Sequence, residues 1–311
     1  MTTAINPELH RGDGEHIHGL TQIRNAIYHE FRVFWDFTWR DWSASLIPGM
    51  MYTTAALRSL TPTPSTSQIA SSLACSFCYF LLYIYSFDIA NQINGVAEDR
   101  INKPDRPLSS GRVSLQGAYI RWYTTTAAHL LVSAALGVLP WGMLWVAITV
   151  YTSFCGGDKH WFTKNLVFMS VGSLCLLHAS WALVTPLTAR EWRWALTLSG
   201  VFGVVANVQD MRDVDGDRVA GRRTLPILLG DLNFRRVMVI VIAATPFFCW
   251  HLEFFKISHL IVGYCAVGLA ISVLYMAFRV YRGLDKTYDH QTYMILTYIY
   301  CGCIALPMLF P

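Results

Sequence analysis

Residues 87–107 read F-D-I-A-N-Q-I-N-G-V-A-E-D-R-I-N-K-P-D-R-P; they begin inside a long apolar run and end in a basic loop. Polar and acidic side chains at the end of an apolar segment are costly to keep unless they bind something. Counted along a helix, Asp88, Asn91, Gly95 and the pair Glu98/Asp99 recur at a spacing that puts them on one face. Lys103 and Arg106 lie just beyond. Such a face suits an oxyanion held through divalent cations. The plain alternative is a helix end carrying solvated charges, and this stretch alone does not separate the two.

The rest of the chain sets the context. Of its 311 residues 54% are hydrophobic and only 14% charged, where a soluble domain carries roughly a quarter. Mean hydropathy is +0.37. Since a membrane span takes about 20 apolar residues, the apolar runs near 43–60, 68–90, 117–138, 141–157, 165–187, 191–209, 236–255, 258–281 and 292–310 predict an all-α polytopic membrane protein. The expected fold has nine transmembrane helices around a central cavity that opens to the cytosolic face. The break between the third and fourth runs is placed at Leu139-Pro140-Trp141.

Residues 1–27 lack the apolar core of a signal peptide and read as a cytosolic tail. Residues 28–42 mix aromatics with charges and predict an interfacial helix. With no linker or composition shift, 28–311 is expected to form a single domain. Of the 24 Lys and Arg, nine spans put all but Arg58, Arg190, Arg193 and Lys256 on the N-terminal side, which the positive-inside rule makes cytosolic. The membrane is expected to be that of the endoplasmic reticulum. The eight cysteines fall mostly in apolar runs. Cys75/Cys78 and Cys301/Cys303 have no histidine beside them, so buried thiols are expected rather than zinc or redox sites. His160, His178 and His251 share no ligand spacing and read as packing or interfacial residues.

A second acidic stretch, N-V-Q-D-M-R-D-V-D-G-D-R-V-A-G-R-R-T-L-P, occupies 207–226. Asp210, Asp213 and Asp217 share a helical face, and one turn separates the last two. Mg²⁺ takes one or two protein carboxylates and completes its shell with phosphate oxygens and water. Arg222 and Arg223 follow, as Lys103 and Arg106 follow the first stretch. Two acidic helix ends with basic loops on one membrane face describe a diphosphate-binding mouth with an apolar tail among the helices. The matching chemistry is ionisation of an allylic diphosphate.

These residues resemble the UbiA superfamily of intramembrane prenyltransferases, nine-helix proteins with acidic motifs after helices 2 and 6. Asn91, Asp99 and N-K-P-D-R-P-L-S-S-G (102–111) match the first motif. Asp213, Asp217, Gly221, Arg223 and Thr224 match the second, and Lys164-Asn165 resembles the pair entering helix 5. The resemblance covers nearly the whole chain. The inner aspartates of the first motif are Gln92 and Gly95 here, which moves the expected ligands to Asn91, Glu98 and Asp99. That variant is similar to the fungal membrane-bound terpene cyclases of the superfamily.

What the resemblance implies is a Mg²⁺-dependent cyclase acting on a prenyl diphosphate within the lipid bilayer. Asn91, Glu98, Asp99, Asp210, Asp213 and Asp217 would hold the metal, with Asp99, Asp213 and Asp217 catalytic. Lys103, Arg106, Lys164 and Arg223 would grip the diphosphate. Tyr83, Phe87, Tyr123, Phe202 and Tyr298 are candidate cavity walls, each weighed against ordinary membrane packing. Asp158 and Lys159 are weaker candidates for the mouth. Farnesyl and geranylgeranyl diphosphate both remain open as substrates. The alternatives are a prenyltransferase with an aromatic or quinone-precursor acceptor, and a transporter, which the one-sided placement of the polar residues disfavours. Nothing in the chain points to nucleic acid, and protein partners stay undefined.

Overall fold

The structure, a computed structural model, describes residues 9–252 and 260–310, with side chains from residue 21 onward. Regular structure among these residues is helical throughout, apart from one β-type bridge between His160 and Arg223. Helix α1 (Leu9–Thr38) starts well before the expected interfacial segment, so much of the anticipated tail is helical. A 3-10 turn (Trp39–Ala44) leads into α2 (Leu46–Arg58). That turn absorbs the start of the first apolar run and leaves α2 only 13 residues.

Helix α3 (Thr66–Asn102) runs for 37 residues. It opens on a capping box: the Gln68 N–H donates to Ser65 Oγ at 3.3 Å, and the Ser65 N–H donates to Gln68 Oε1 at 2.9 Å. It stops at Lys103, whose φ of −145° and ψ of 62° leave helical geometry just before Pro104, whose ring disfavours helix in the residue ahead of it. At 1.5 Å per residue α3 is about 55 Å long, against about 30 Å of hydrocarbon in a bilayer. Its C-terminal turns therefore carry the acidic stretch beyond the apolar run that ends near residue 90.

Helices α4 (Leu115–Ala135) and α5 (Leu139–Phe154) are joined by a turn at Gly137, whose φ of 73° needs glycine. Pro140 sits in the first turn of α5, where a missing N–H costs nothing. A π-helical turn (Phe162–Val167) precedes α6 (Phe168–Ala182), and α7 follows (Ala189–Val205). After a 3-10 turn (Ala206–Gln209) come α8 (Asp210–Val219), the short α9 (Leu225–Leu229), α10 (Asp231–His251), α11 (Leu260–Arg282) and α12 (Lys286–Leu309).

Each of the nine apolar runs thus falls on a helix; the end of the seventh and the start of the eighth lie outside the described residues. Five of these helices, Thr66–Asn102, Phe162–Ala182, Asp231–His251, Leu260–Arg282 and Lys286–Leu309, are long and apolar enough to cross a membrane. Helices α2, α5 and α7 are shorter than the usual span.

Small residues let the helices close on one another, as membrane bundles require. A Cβ on Gly49 would stand 2.7 Å from the Phe80 ring, and one on Gly172 2.9 Å from Trp145. Tyr83 stacks on Trp145 with centroids 3.9 Å apart. Trp145 Nε1 donates to the Tyr83 carbonyl at 3.0 Å, while the Tyr83 hydroxyl donates to the Gly172 carbonyl at 2.8 Å. These contacts tie α3, α5 and α6 together below the acidic end of α3. All eight cysteines are free; Cys175 is buried as expected, whereas Cys78 and Cys155 are exposed. His178 packs between Trp141 and Trp192.

Candidate active site

The two acidic stretches meet. Gly216 of α8 lies against the end of α3, where an added Cβ would fall 2.3 Å from Asn102 Nδ2 and 2.8 Å from Glu98 Cγ. Asn102 Nδ2 donates to the Asp213 carbonyl at 3.1 Å. The close approach puts Glu98, Asp99, Asp213 and Asp217 in one cluster with their bases.

Each base has a definite post. Lys103 Nζ stands 3.9 Å from Glu98, 4.0 Å from Asp99 and 3.7 Å from Asp213, between the two stretches. Arg106 Nη1 donates to both Asp99 oxygens at 2.9 Å. The π turn winds Lys164 and Asn165 toward α8: Lys164 Nζ reaches Asp210 at 2.8 Å and Asp217 at 3.1 Å, and Asn165 Nδ2 donates to Asp210 at 2.6 Å. Such wide turns recur at functional sites. Arg222 is buried and joins three carboxylates, Asp158 at 3.0 Å, Asp217 at 2.9 Å and Glu98. Burial opposes its charge, but these neighbours hold its proton more tightly than usual. Burial also pushes the Asp213 carboxyl up, yet Lys103, Arg212 and Lys164 overcome this and hold it at about 2.

Below the cluster lies a cavity of about 170 Å³. Asn91, Glu98, Lys103, Arg106, Lys164, Arg212, Asp213, Arg222 and Tyr293 line its polar end; Tyr83, Phe87, Trp145, Phe168 and Phe202 line its depth. Phe87 stacks on Phe168 at 4.9 Å, and the Arg212 guanidinium covers Tyr293 at 4.5 Å.

The expected residues divide. Asp99, Asp210 and Asp217 are buried behind the cavity wall and orient Arg106 and Lys164. Asp88 is buried too, outside the lining, with Asp41 and Arg106 as its charged neighbours. Arg223 is not at the mouth. Its side chain is exposed, and its backbone pairs with the loop before the π turn, accepting from Trp161 at 3.1 Å and donating to Lys159 at 2.7 Å. Arg222 takes the place expected of it. Tyr123 and Tyr298 are 63% and 61% exposed and lie outside the cavity. Asp158 joins the cluster through Arg222, while Lys159 Nζ donates to the Ala220 carbonyl at 2.9 Å and stands 3.8 Å from Asp158. The sequence reading missed Trp145, Phe168, Arg212 and Tyr293; of these only Arg212, beside Asp213, carried a signal.

The UbiA prenyltransferase family pattern matches residues 45–299. The chain belongs to this family. It is 37% identical to the diterpene cyclase eriG of Hericium erinaceus over 90% of this chain and 88% of that protein. It is 36% identical to the polyprenyl transferase eriF of the same fungus, over 90% and 95% respectively. Its fold is that of a UbiA homologue from Archaeoglobus fulgidus bound to GPP and Mg²⁺, with a TM-score of 0.63 over 89% of this chain and 99% of that one, at 13% identity.

The donors of this UbiA-family site fit a hard cation. They are oxygens without exception, and Asp158 Oδ1 and Asn102 Oδ1 are buried at the mouth with no hydrogen-bond partner. A side chain at Gly95 would begin 3.5 Å from Glu98 Oε2, so the family's missing aspartate leaves room beside that carboxylate. Among the described residues no three acidic, His or Cys side chains already converge on one point. Mg²⁺ takes one or two protein carboxylates and completes its shell with phosphate oxygens and water.

Proposed function

We propose that this chain is a Mg²⁺-dependent terpene cyclase of the class that ionises its substrate. It would take farnesyl or geranylgeranyl diphosphate from the bilayer through a nine-span domain whose mouth faces the cytosol. The observation that carries this reading is a cavity whose polar end holds paired acids and bases and whose depth is walled by aromatic rings. Aromatic faces stabilise positive charge, and a closed wall keeps water from quenching it.

Lys103, Arg106, Lys164 and Arg222 would receive the diphosphate. Asn91, Glu98 and Asp213 reach the cavity and would hold Mg²⁺ with it; Asp99, Asp210 and Asp217 would join only by releasing Arg106 and Lys164. Bound there, Mg²⁺ supplies positive charge that eases departure of the pyrophosphate. The bases Lys103, Arg106, Lys159, Lys164, Arg212 and Arg222 are already paired with Glu98, Asp99, Asp158, Asp210, Asp213 and Asp217, so a polyanion needs added cations to enter. The C–O bond breaks with its electron pair leaving on pyrophosphate. The allylic cation is then attacked by a double bond of its own chain, and proton loss gives a cyclic hydrocarbon. Tyr83, Phe87, Trp145, Phe168 and Phe202 would hold the chain folded and dry.

The likeness to a polyprenyl transferase, nearly equal to that with the cyclase, supports transfer to an aromatic or quinone-precursor acceptor as the second reading. One experiment separates them. Membranes bearing the protein are incubated with Mg²⁺ and farnesyl or geranylgeranyl diphosphate, without acceptor, and hydrocarbons are analysed. A cyclic product that is lost with EDTA and in Asp213→Ala is expected. Product only after an acceptor is added would replace the cyclase with a transferase, and no product under either condition would refute both.

A further inference from the structure

A second cavity of about 420 Å³ lies behind the first, among α7, α10, α11 and α12, and opens outward where Phe247, Trp250 and Val267 are exposed. Val201, Val205, Ile242, Val273, Met276 and Cys303 are typical of its walls. Its two hydroxyls are already engaged: that of Thr245 donates to the Val241 carbonyl at 3.1 Å, and that of Tyr300 is bonded to Ser173 Oγ at 2.7 Å. An acceptor ring bearing hydroxyls or a charged headgroup would find no free hydroxyl and no charged side chain there. Hydrocarbon would.

The two cavities share one wall. Phe202 borders both, and its ring packs on Tyr300 with centroids 4.5 Å apart. Tyr300 is fixed from the other side, because Ser173, which lines the first cavity, holds its hydroxyl and itself accepts from Ser199 Oγ at 3.0 Å. The partition is therefore the Phe202 ring, backed by Tyr300 and braced by a buried hydroxyl chain. It stands at the apolar end of the space whose polar end is the diphosphate mouth.

We propose that the Phe202–Tyr300 pair sets the length of prenyl chain that the site accepts, by closing off an apolar chamber that would otherwise take the distal isoprene units. The inference rests on the diphosphate-binding reading above. A chain longer than the first cavity must displace the pair. Removing the Phe202 ring joins the two spaces, and each further buried methylene then adds to affinity.

The test is binding, so it does not depend on which reaction follows. Purified protein with Mg²⁺ is titrated with non-ionising thiolodiphosphate analogues of farnesyl, geranylgeranyl and geranylfarnesyl diphosphate. The wild type is expected to bind the geranylfarnesyl analogue at least about tenfold more weakly than its preferred length. Phe202→Ala should bring that ratio to within about threefold. Phe202→Leu does the same in part and serves if the alanine variant fails to fold, and Ala270→Phe added to either refills the chamber and restores the discrimination. Unchanged length ratios in variants that still bind the farnesyl analogue would overturn the partition and leave the diphosphate site standing; they would also be the result if a bilayer acyl chain owned the chamber. Failure of the wild type to bind any analogue would overturn both.

Discussion

Arg222 and Arg223 are neighbours in sequence with opposite fates. Arg222 is buried against Asp158, Asp217 and Glu98, while Arg223 faces out. Removing one partner of a buried charge network leaves the others repelling, at about 3–5 kcal/mol. Arg222→Ala is therefore expected to slow pyrophosphate release by at least about 100-fold and to lower the melting temperature, with Mg²⁺ restoring more of the melting temperature in the variant than it adds to the wild type. Arg223→Ala should stay within about threefold of wild type. Equal losses from both, measured as pyrophosphate release from membranes, would remove Arg222 from the mouth. The sequence points to both residues, and the family resemblance selects Arg223. The backbone there is extended and bridged to His160, so successive side chains point to opposite faces and a choice one residue off trades the mouth for solvent. Tyr123 and Tyr298 fail by the same logic on a helical period: on α12 it is Tyr293 and Tyr300 that turn inward. Side-chain chemistry was legible; its direction was not.

At the scale of elements, the site exists because α3 outlasts its apolar run and because α8 can lie against its end. The first fact is written in the sequence, since the polar positions of 88–99 keep helical spacing and Pro104 marks the stop. The second depends on Gly216, whose missing side chain lets Asn102 and Glu98 approach; a glycine inside an acidic stretch gives no sign of what it will touch. Gly216→Ala improves the local helix propensity yet forces the two helices apart. Overpacking of this kind costs about 1–3 kcal/mol, and the shift falls on Lys103, Glu98 and Asp213 together. Activity is expected to fall about 10- to 100-fold, as a misplacement of about 1 Å can produce. Wild-type turnover with a raised melting temperature would show that propensity outweighs the contact. The π turn at Phe162–Val167 was equally hidden, because Lys164-Asn165 can be recognised as a pair but nothing in F-T-K-N-L-V announces the extra residue in the turn.

For the whole molecule, charge and helix direction make one testable topology. Helices α3 and α8 bring the mouth to one end of the bundle, with Lys103, Arg106, Lys164, Arg212 and Arg222 around it. The turn before α3 and Arg58 at the end of α2 lie at the opposite end of a helix about 55 Å long, too far apart to share a side of a bilayer whose hydrocarbon is about 30 Å thick. Apolar runs and the positive-inside rule predict from sequence that the mouth faces the cytosol, and α2, α5 and α7 are shorter than the usual span. In a cysteine-free background, Asp215→Cys and Thr63→Cys place a single thiol on exposed residues at the mouth and at the far end. In sealed membranes with the cytosolic face outward, an impermeant maleimide is expected to label position 215 at once and position 63 only after permeabilisation. Labelling in the reverse order would turn the mouth away from the cytosol and break the positive-inside argument. Simultaneous labelling of both would mean that α3 does not cross the bilayer, and the cavity would then lose its access to substrate from the lipid.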